Sequence, residues 1–222
     1  MTQAQEIDTT SHSRFSIFAG LSLPTGKFAS TKVKGAGSAK AGFGGGLEFS
    51  YELAKSFDIG ILCDISMNSI DIAELESMWR TYFSDNADNP DQVSVETSQW
   101  LTFDMMGSLG FNTRISPIVK LYGKAYAGSL FGIYPKMEMT ITTDISDTYL
   151  LIQEEDNAFT VGYGFSCGLI IKDRIDFGLL FTSGEPEYRH KLYIEGFPED
   201  FSYMTVKKPS SKFILRVGLI LF

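Results

Sequence analysis

From Phe15 to the C-terminus one periodicity governs the chain: large apolar residues recur at every second position, with small or polar residues between them. A period of two places successive side chains on opposite faces of an extended strand. FSIFAGLSL sets Phe15, Ile17, Ala19, Leu21 and Leu23 against Ser16, Gly20 and Ser22. AGFGGGLEFSYEL sets Phe43, Leu47, Phe49, Tyr51 and Leu53 against glycines, Glu48, Ser50 and Glu52. Further alternating segments run from Phe57, Leu101, Ile118, Phe159 and Ile175, and the chain closes on KFILRVGLILF. Together these predict eight strands.

The connections constrain the topology further. Ala54–Ser56, Thr113–Ser116 and Lys172–Arg174 are short polar turns, whereas Pro24–Lys40, Ser69–Trp100, Tyr134–Asn157 and Ser183–Ser211 are long. Long and short alternate, so all long connections fall at one end. A closed up-and-down barrel with an even strand count has this asymmetry, and a soluble sandwich has no reason for it. The polarity agrees. An eight-stranded barrel has a narrow interior, which suits Gly, Ser, Asp, Glu, Lys and Arg, while repeated Phe, Leu, Ile and Val suit lipid. Closure also pairs every backbone group in hydrocarbon. The expected fold is all-β: an eight-stranded antiparallel up-and-down transmembrane barrel over residues 15–222, preceded by a polar tail, 1–14.

Composition closes off other classes. A net charge of −8 disfavours nucleic acid. No run of about twenty apolar residues supports a transmembrane helix. MTQAQEIDTTSHSR carries no secretory signal, and QAQE after a lone Met reads as a mature N-terminus whose export signal has been removed. Cys63 and Cys167 fall on the apolar register of distant strands, which predicts free thiols.

FSIFAGLSLPTGKF, the glycine-dotted strands and the terminal Phe222 resemble small bacterial outer-membrane β-barrel proteins of the OmpA/OmpX-like superfamily, particularly Bacteroidetes-type members. The resemblance implies short periplasmic turns, long extracellular loops, residence in the bacterial outer membrane and contact with its lipid and lipopolysaccharide. It also implies an assembly signal of alternating apolar residues counted back from Phe222. Arg216 interrupts that series, so Phe222 lies past the regular strand or the signal is degenerate.

Inward charges form the first candidate site. Counted from the nearest short turn, Glu48, Asp64, Asp104, Lys124 and Arg216 come out near mid-barrel, and Glu52, Asp58 and Lys120 lie lower. Asp104 and Lys124 sit almost symmetrically about the Thr113–Ser116 turn and are expected to be close cross-strand neighbours. These charges form either a salt-bridge network filling the lumen or a gate through it.

The loops form the second. KMEMTITTDISDTYLLIQ and EYRHKLYIE…FSYMTV read as hairpins extending neighbouring strands into one projecting sheet, suited to adhesion or partner binding, or else as plain extensions. Lys27, Lys32, Lys34 and Lys40 are candidates for lipopolysaccharide phosphates, against a solvated flexible loop. Asp85, Asp88 and Asp91 lack calcium-loop spacing and read as a turn. SIDIAELESMWRTYF predicts a short helix with Ile72, Leu75, Trp79 and Tyr82 on one face.

His12 and His190 are the only histidines, and neither marks a triad or zinc site. Neither a catalytic residue nor a metal or other cofactor is expected. The reading is therefore a monomeric structural or binding barrel, with a narrow channel, a lipid-acting enzyme dependent on His190, and a soluble ligand-binding barrel as alternatives.

Overall fold

The computed structural model describes residues 13–31, 36–54, 56–85, 92–142, 148–195 and 201–222, apart from the side chains of 83 and 85. The calcium candidates Asp85, Asp88 and Asp91, the lysines Lys32 and Lys34, and both hairpin tips lie outside what is described. Eight strands close into a barrel: β1 (Ser13–Pro24), β2 (Ala39–Ala54), β3 (Phe57–Ile70), β5 (Trp100–Ser116), β6 (Val119–Tyr134), β9 (Asp156–Ile171), β10 (Ile175–Gly184) and β13 (Lys212–Ile220). Their order around the barrel is β1-β13-β10-β9-β6-β5-β3-β2, and each neighbouring pair is antiparallel. First and last strands meet from Ser16↔Ile220 to Pro24↔Lys212, so no edge is left in the barrel wall.

The wall is inside-out relative to a soluble barrel. Phe43, Leu109 and Val161 are 69%, 70% and 78% exposed, while Glu48, Asp64, Asp104 and Arg216 are buried. This distribution makes sense only where hydrocarbon replaces water outside. The free thiols agree with the same placement: Cys63 and Cys167 stand on β3 and β9, which are not neighbours. Among the described residues no helix is long and apolar enough to cross a membrane.

The short turns hold their expected end, with one displacement. β5 runs to Ser116 and β6 starts at Val119, so the reversal falls at Pro117–Ile118 and not at Thr113–Ser116. Register follows the turn. Lys124 therefore stands opposite Gly110 and Asp104 opposite Leu130, and the expected Asp104–Lys124 pairing does not occur. The β9–β10 turn places Lys172 and Asp173 at φ 52° and 53°, a left-handed pair at the centre of a turn in which the Arg174 N–H donates to the Ile171 carbonyl at 3.1 Å.

Beyond the barrel, β4 (Gln92–Thr97), β7 (Met137–Thr142), β8 (Thr148–Gln153), β11 (Glu187–Ile194) and β12 (Phe201–Lys207) form a second sheet in the order β12-β11-β8-β7-β4. The two hairpins do join as one sheet, through β8 and β11. β4 is an addition from the second long connection, where a loop and helix were expected. That connection also forms α2 (Ile72–Asp85). Only part of its expected apolar face packs: Leu75 is buried and Trp79 partly so, while Ile72 and Tyr82 remain exposed. In the first long connection, α1 (Gly26–Ala29) buries Phe28 completely.

Phe222 lies past the end of β13. Its carbonyl accepts from the Phe15 N–H at 2.9 Å, and its ring stacks on Phe15 at 5.8 Å. The outward apolar register of the last strand is Leu215, Val217, Leu219 and Leu221, so Arg216 points inward without breaking it.

Candidate functional site

Because inward side chains alternate along each strand, the charges fall into layers. Along β3 the inward series is Asp58, Gly60, Leu62, Asp64, Ser66; along β13 it is Lys212, Ile214, Arg216. Leu62 and Ile214 therefore separate two ionic layers. With Phe18, Met106, Tyr126 and Leu180 they form a buried apolar cluster inside the barrel. The single mid-barrel network expected from turn distances is in fact two networks, because inward positions are not uniformly polar.

The layer nearer the short turns is matched in charge. Lys124 Nζ lies 2.6 Å from Glu48 and 3.4 Å from Asp58. Arg216 reaches Glu48 at 2.9 Å and Asp176 at 3.0 Å. Arg14 reaches Asp58 at 3.2 Å. Among the described residues this layer holds three cations and three carboxylates. Tyr122 donates to Asp176 at 2.8 Å and accepts from Arg216 at 2.9 Å. It fits because Gly168 and Gly178 pair across β9 and β10: a Cβ on either would come within 2.6 and 2.2 Å of the Tyr122 hydroxyl.

The layer nearer the long loops is unequal. Asp64 and Asp104 stand directly opposite each other. Lys212 lies 3.7 Å from Asp64 and 3.1 Å from Asp104, and it donates to Thr102, which bonds Ser66 at 2.7 Å. Sequence reasoning missed Lys212 because it sits at a strand start, and left Asp176 and Arg14 outside the network. Alternation around Ile214 and Arg216 could have placed Lys212 inward.

Lys120 has a carboxylate partner, but not within the lumen. Its ammonium lies 2.7 Å from Asp173 in the β9–β10 turn, which Arg114 also approaches at 3.2 Å. The hydrogen bond from Lys120, with the nearby charges, holds Asp173 below the usual carboxylate range. Glu52 stands opposite Asp58 at the same rim, half-buried.

Above the ionic layers an aromatic group covers the barrel mouth. Trp100 opens β5 and Tyr134 ends β6, with ring centroids 4.9 Å apart. Tyr188 packs on Tyr134 at 5.3 Å, and Phe28 meets Trp100 edge-on at 5.4 Å. The Trp100 indole donates to the Gly37 carbonyl at 2.8 Å, which ties the first long connection over the mouth. Gly132 makes room: a Cβ there would meet the Tyr188 hydroxyl at 2.1 Å.

Between this aromatic layer, α2 and the second sheet lies a chamber of about 290 Å³. Trp79, Trp100, Tyr134, Met137 and Met204 wall it, and His190 and Lys208 supply polar groups. His190 is 2% exposed, stacks on Tyr134 at 4.9 Å, and its Nδ1 has no hydrogen-bond partner. Lys208 Nζ donates to the Ala36 carbonyl and lies 5.6 Å from the Tyr134 ring centre. Burial pulls the Lys208 pKa down to about 8. Burial and then the Lys208 charge lower that of His190. Ser183 is not paired with His190; its hydroxyl lies 2.7 Å from that of Ser211.

Of the candidate surface lysines, Lys27 is exposed on α1. Lys40 pairs with Asp71 at 3.1 Å. Among the described residues, no group of three His, Cys, Asp or Glu could hold a metal ion.

A closed eight-stranded antiparallel barrel with an apolar exterior and an ionised, side-chain-filled interior defines a small transmembrane β-barrel. No family model matches the chain, and no curated protein matches it. Among solved structures it is similar to Ail, the attachment invasion locus protein of Yersinia pestis, at 13% identity and TM-score 0.46, covering 94% of this chain and 97% of that one. It is also similar to Neisserial surface protein A, at 11% identity and TM-score 0.43, with 95% and 96% covered. OprG from Pseudomonas aeruginosa gives 10% identity and TM-score 0.40, with 94% and 96% covered. At these values the class rests on closure, the outward apolar face and the ionised interior.

Proposed function

We propose that this chain is a monomeric barrel of the Gram-negative outer membrane, with residues 15–222 as its barrel domain and a structural or binding role carried by its long-loop end. The observation that carries this reading is the contrast between the two ends of the lumen. The interior is filled by two ionic layers and an apolar layer, which leaves no aqueous path of porin width, while the long connections are built into a five-stranded sheet. Strands β12 and β4 are the outer strands of that sheet; Glu76 of α2 already accepts from the Val95 N–H of β4 at 2.9 Å, which leaves β12 as the edge that can accept a partner strand. Phe201, Tyr203 and Met204 on β12 are exposed, which suits adhesion to a protein or surface ligand. Lys27 is exposed on α1, and its charge suits anionic headgroups such as those of lipopolysaccharide.

A narrow channel is the second reading, favoured by the unequal layer of Asp64, Asp104 and Lys212. Planar-bilayer conductance separates the two. A filled lumen gives no steady conductance, and Lys124→Met leaves that baseline unchanged. Steady unitary currents that change in Lys124→Met would establish the channel. A non-enzymatic role is part of this reading. Loss of a lipid-hydrolysing activity in His190→Ala would contradict it.

A further inference from the structure

We propose that the chamber between the barrel mouth and the second sheet binds a small apolar carboxylate, with Lys208 as its counter-ion. The cavity is preformed, and at about 290 Å³ it lies just under the range of about 300–1,000 Å³ for small-molecule sites. Its wall includes two tryptophans, a tyrosine and three thioethers, an environment for an aryl or branched alkyl body.

The polar groups define the rest of the ligand. Lys208 is an ammonium taken partly out of water, and among the described residues its contacts are a carbonyl and the face of Tyr134. A cation half withdrawn from water without a carboxylate is unfavourable, and a bound anion would relieve it. His190 supplies a second group: its ring is 2% exposed and its Nδ1 is unpartnered. Burial keeps it neutral beside Lys208, so the site offers one positive charge and one neutral hydrogen-bonding nitrogen. That matches a monocarboxylate better than a doubly charged phosphate. Among the described residues, the buried Lys124, Lys212 and Arg216 each already face a carboxylate of the chain itself.

The chain has two tryptophans, Trp79 and Trp100, and both line the chamber, so tryptophan emission reports on it directly. The detergent-refolded full chain is titrated with phenylbutyrate and with its neutral amide. The expected result is a saturable emission change for the acid, about tenfold tighter than for the amide, a difference of about 1.4 kcal/mol. No saturable change, or equal affinity for acid and amide, overturns the proposal without any variant. In Lys208→Met, shown to be folded by its heat-dependent gel shift, the acid is expected to lose its advantage; a retained advantage also overturns it. Lys136→Met removes an exposed lysine paired with Glu138 and is expected to keep the preference. Loss there as well would mean general surface attraction, and the proposal falls.

Discussion

Lys124 and Lys208 are both lysines drawn out of water, yet they stand in opposite surroundings. Lys124 lies between Glu48 and Asp58 and also bonds the Ser50 hydroxyl at 2.6 Å. Lys208, among the described residues, meets a backbone carbonyl and an aromatic face. Inside the barrel a cation must have its partner built in, since hydrocarbon outside and side chains inside leave no solvent to compensate. The chamber lies beyond the membrane-spanning wall, where an unpaired charge is tolerated at the expense of its proton affinity. The first arrangement serves stability, and the second leaves capacity for a ligand.

The strongest way to break this contrast is Lys124→Met. It leaves Glu48 and Asp58 in a layer with one cation fewer, and removing one member of a buried pair costs about 3–5 kcal/mol. Urea unfolding in detergent micelles measures it; a loss near zero would mean that water enters the lumen freely.

Lys208 predicts a different signature, in pH. Its folded pKa of about 8 lies below the ordinary 10.5. Between these values the unfolded chain holds a proton that the folded chain has released, so stability rises with pH across that window. Below about pH 8 both states are protonated and this contribution is flat. Facing it are His190 from β11, already neutral in the window, and the Tyr134 ring from β6, with Asp156 acting on His190. Since other lysines and tyrosines titrate there too, the measurement is the difference between wild type and Lys208→Met. The variant should lack the rise.

Asp64→Asn sharpens the comparison from within the barrel. Here two opposed carboxylates share one lysine, so neutralising one removes repulsion along with attraction. The expected change is no more than about 1 kcal/mol, well short of Lys124→Met in the same urea series. The smallest effect belongs to Lys120→Ala. Its pair with Asp173 is partly exposed at the rim, and such pairs contribute about 0.2–1 kcal/mol. A larger loss would place the rim inside the low-dielectric zone.

Most of the barrel was legible because its physics is local. Alternation along Phe57–Asn68 or Phe159–Ile171 decides which side chains face lipid, whatever the neighbouring strand. The alternation of long and short connections then decides which end carries the loops. Even the joined hairpins could be anticipated, since both extend strands adjacent in the barrel. The ion pairs were not legible to the same degree. Moving the β5–β6 reversal from Thr113–Ser116 to Pro117–Ile118 put Gly110, not Asp104, opposite Lys124. Lys212 and Asp176 went unnoticed as network members, and the network split around Leu62 and Ile214.

The sequence by itself therefore determined a closed eight-stranded barrel, its inside-out polarity, its orientation of loops and its free thiols. Each follows from period-two patterning and connection length, which need no partner to be read. Only the tertiary structure decided which carboxylate each cation meets, that β4 joins the second sheet, and that His190 and Lys208 share an aromatic chamber. Those outcomes depend on register and on contacts between loops far apart in the chain, and a one-residue slip would have redirected every side chain involved.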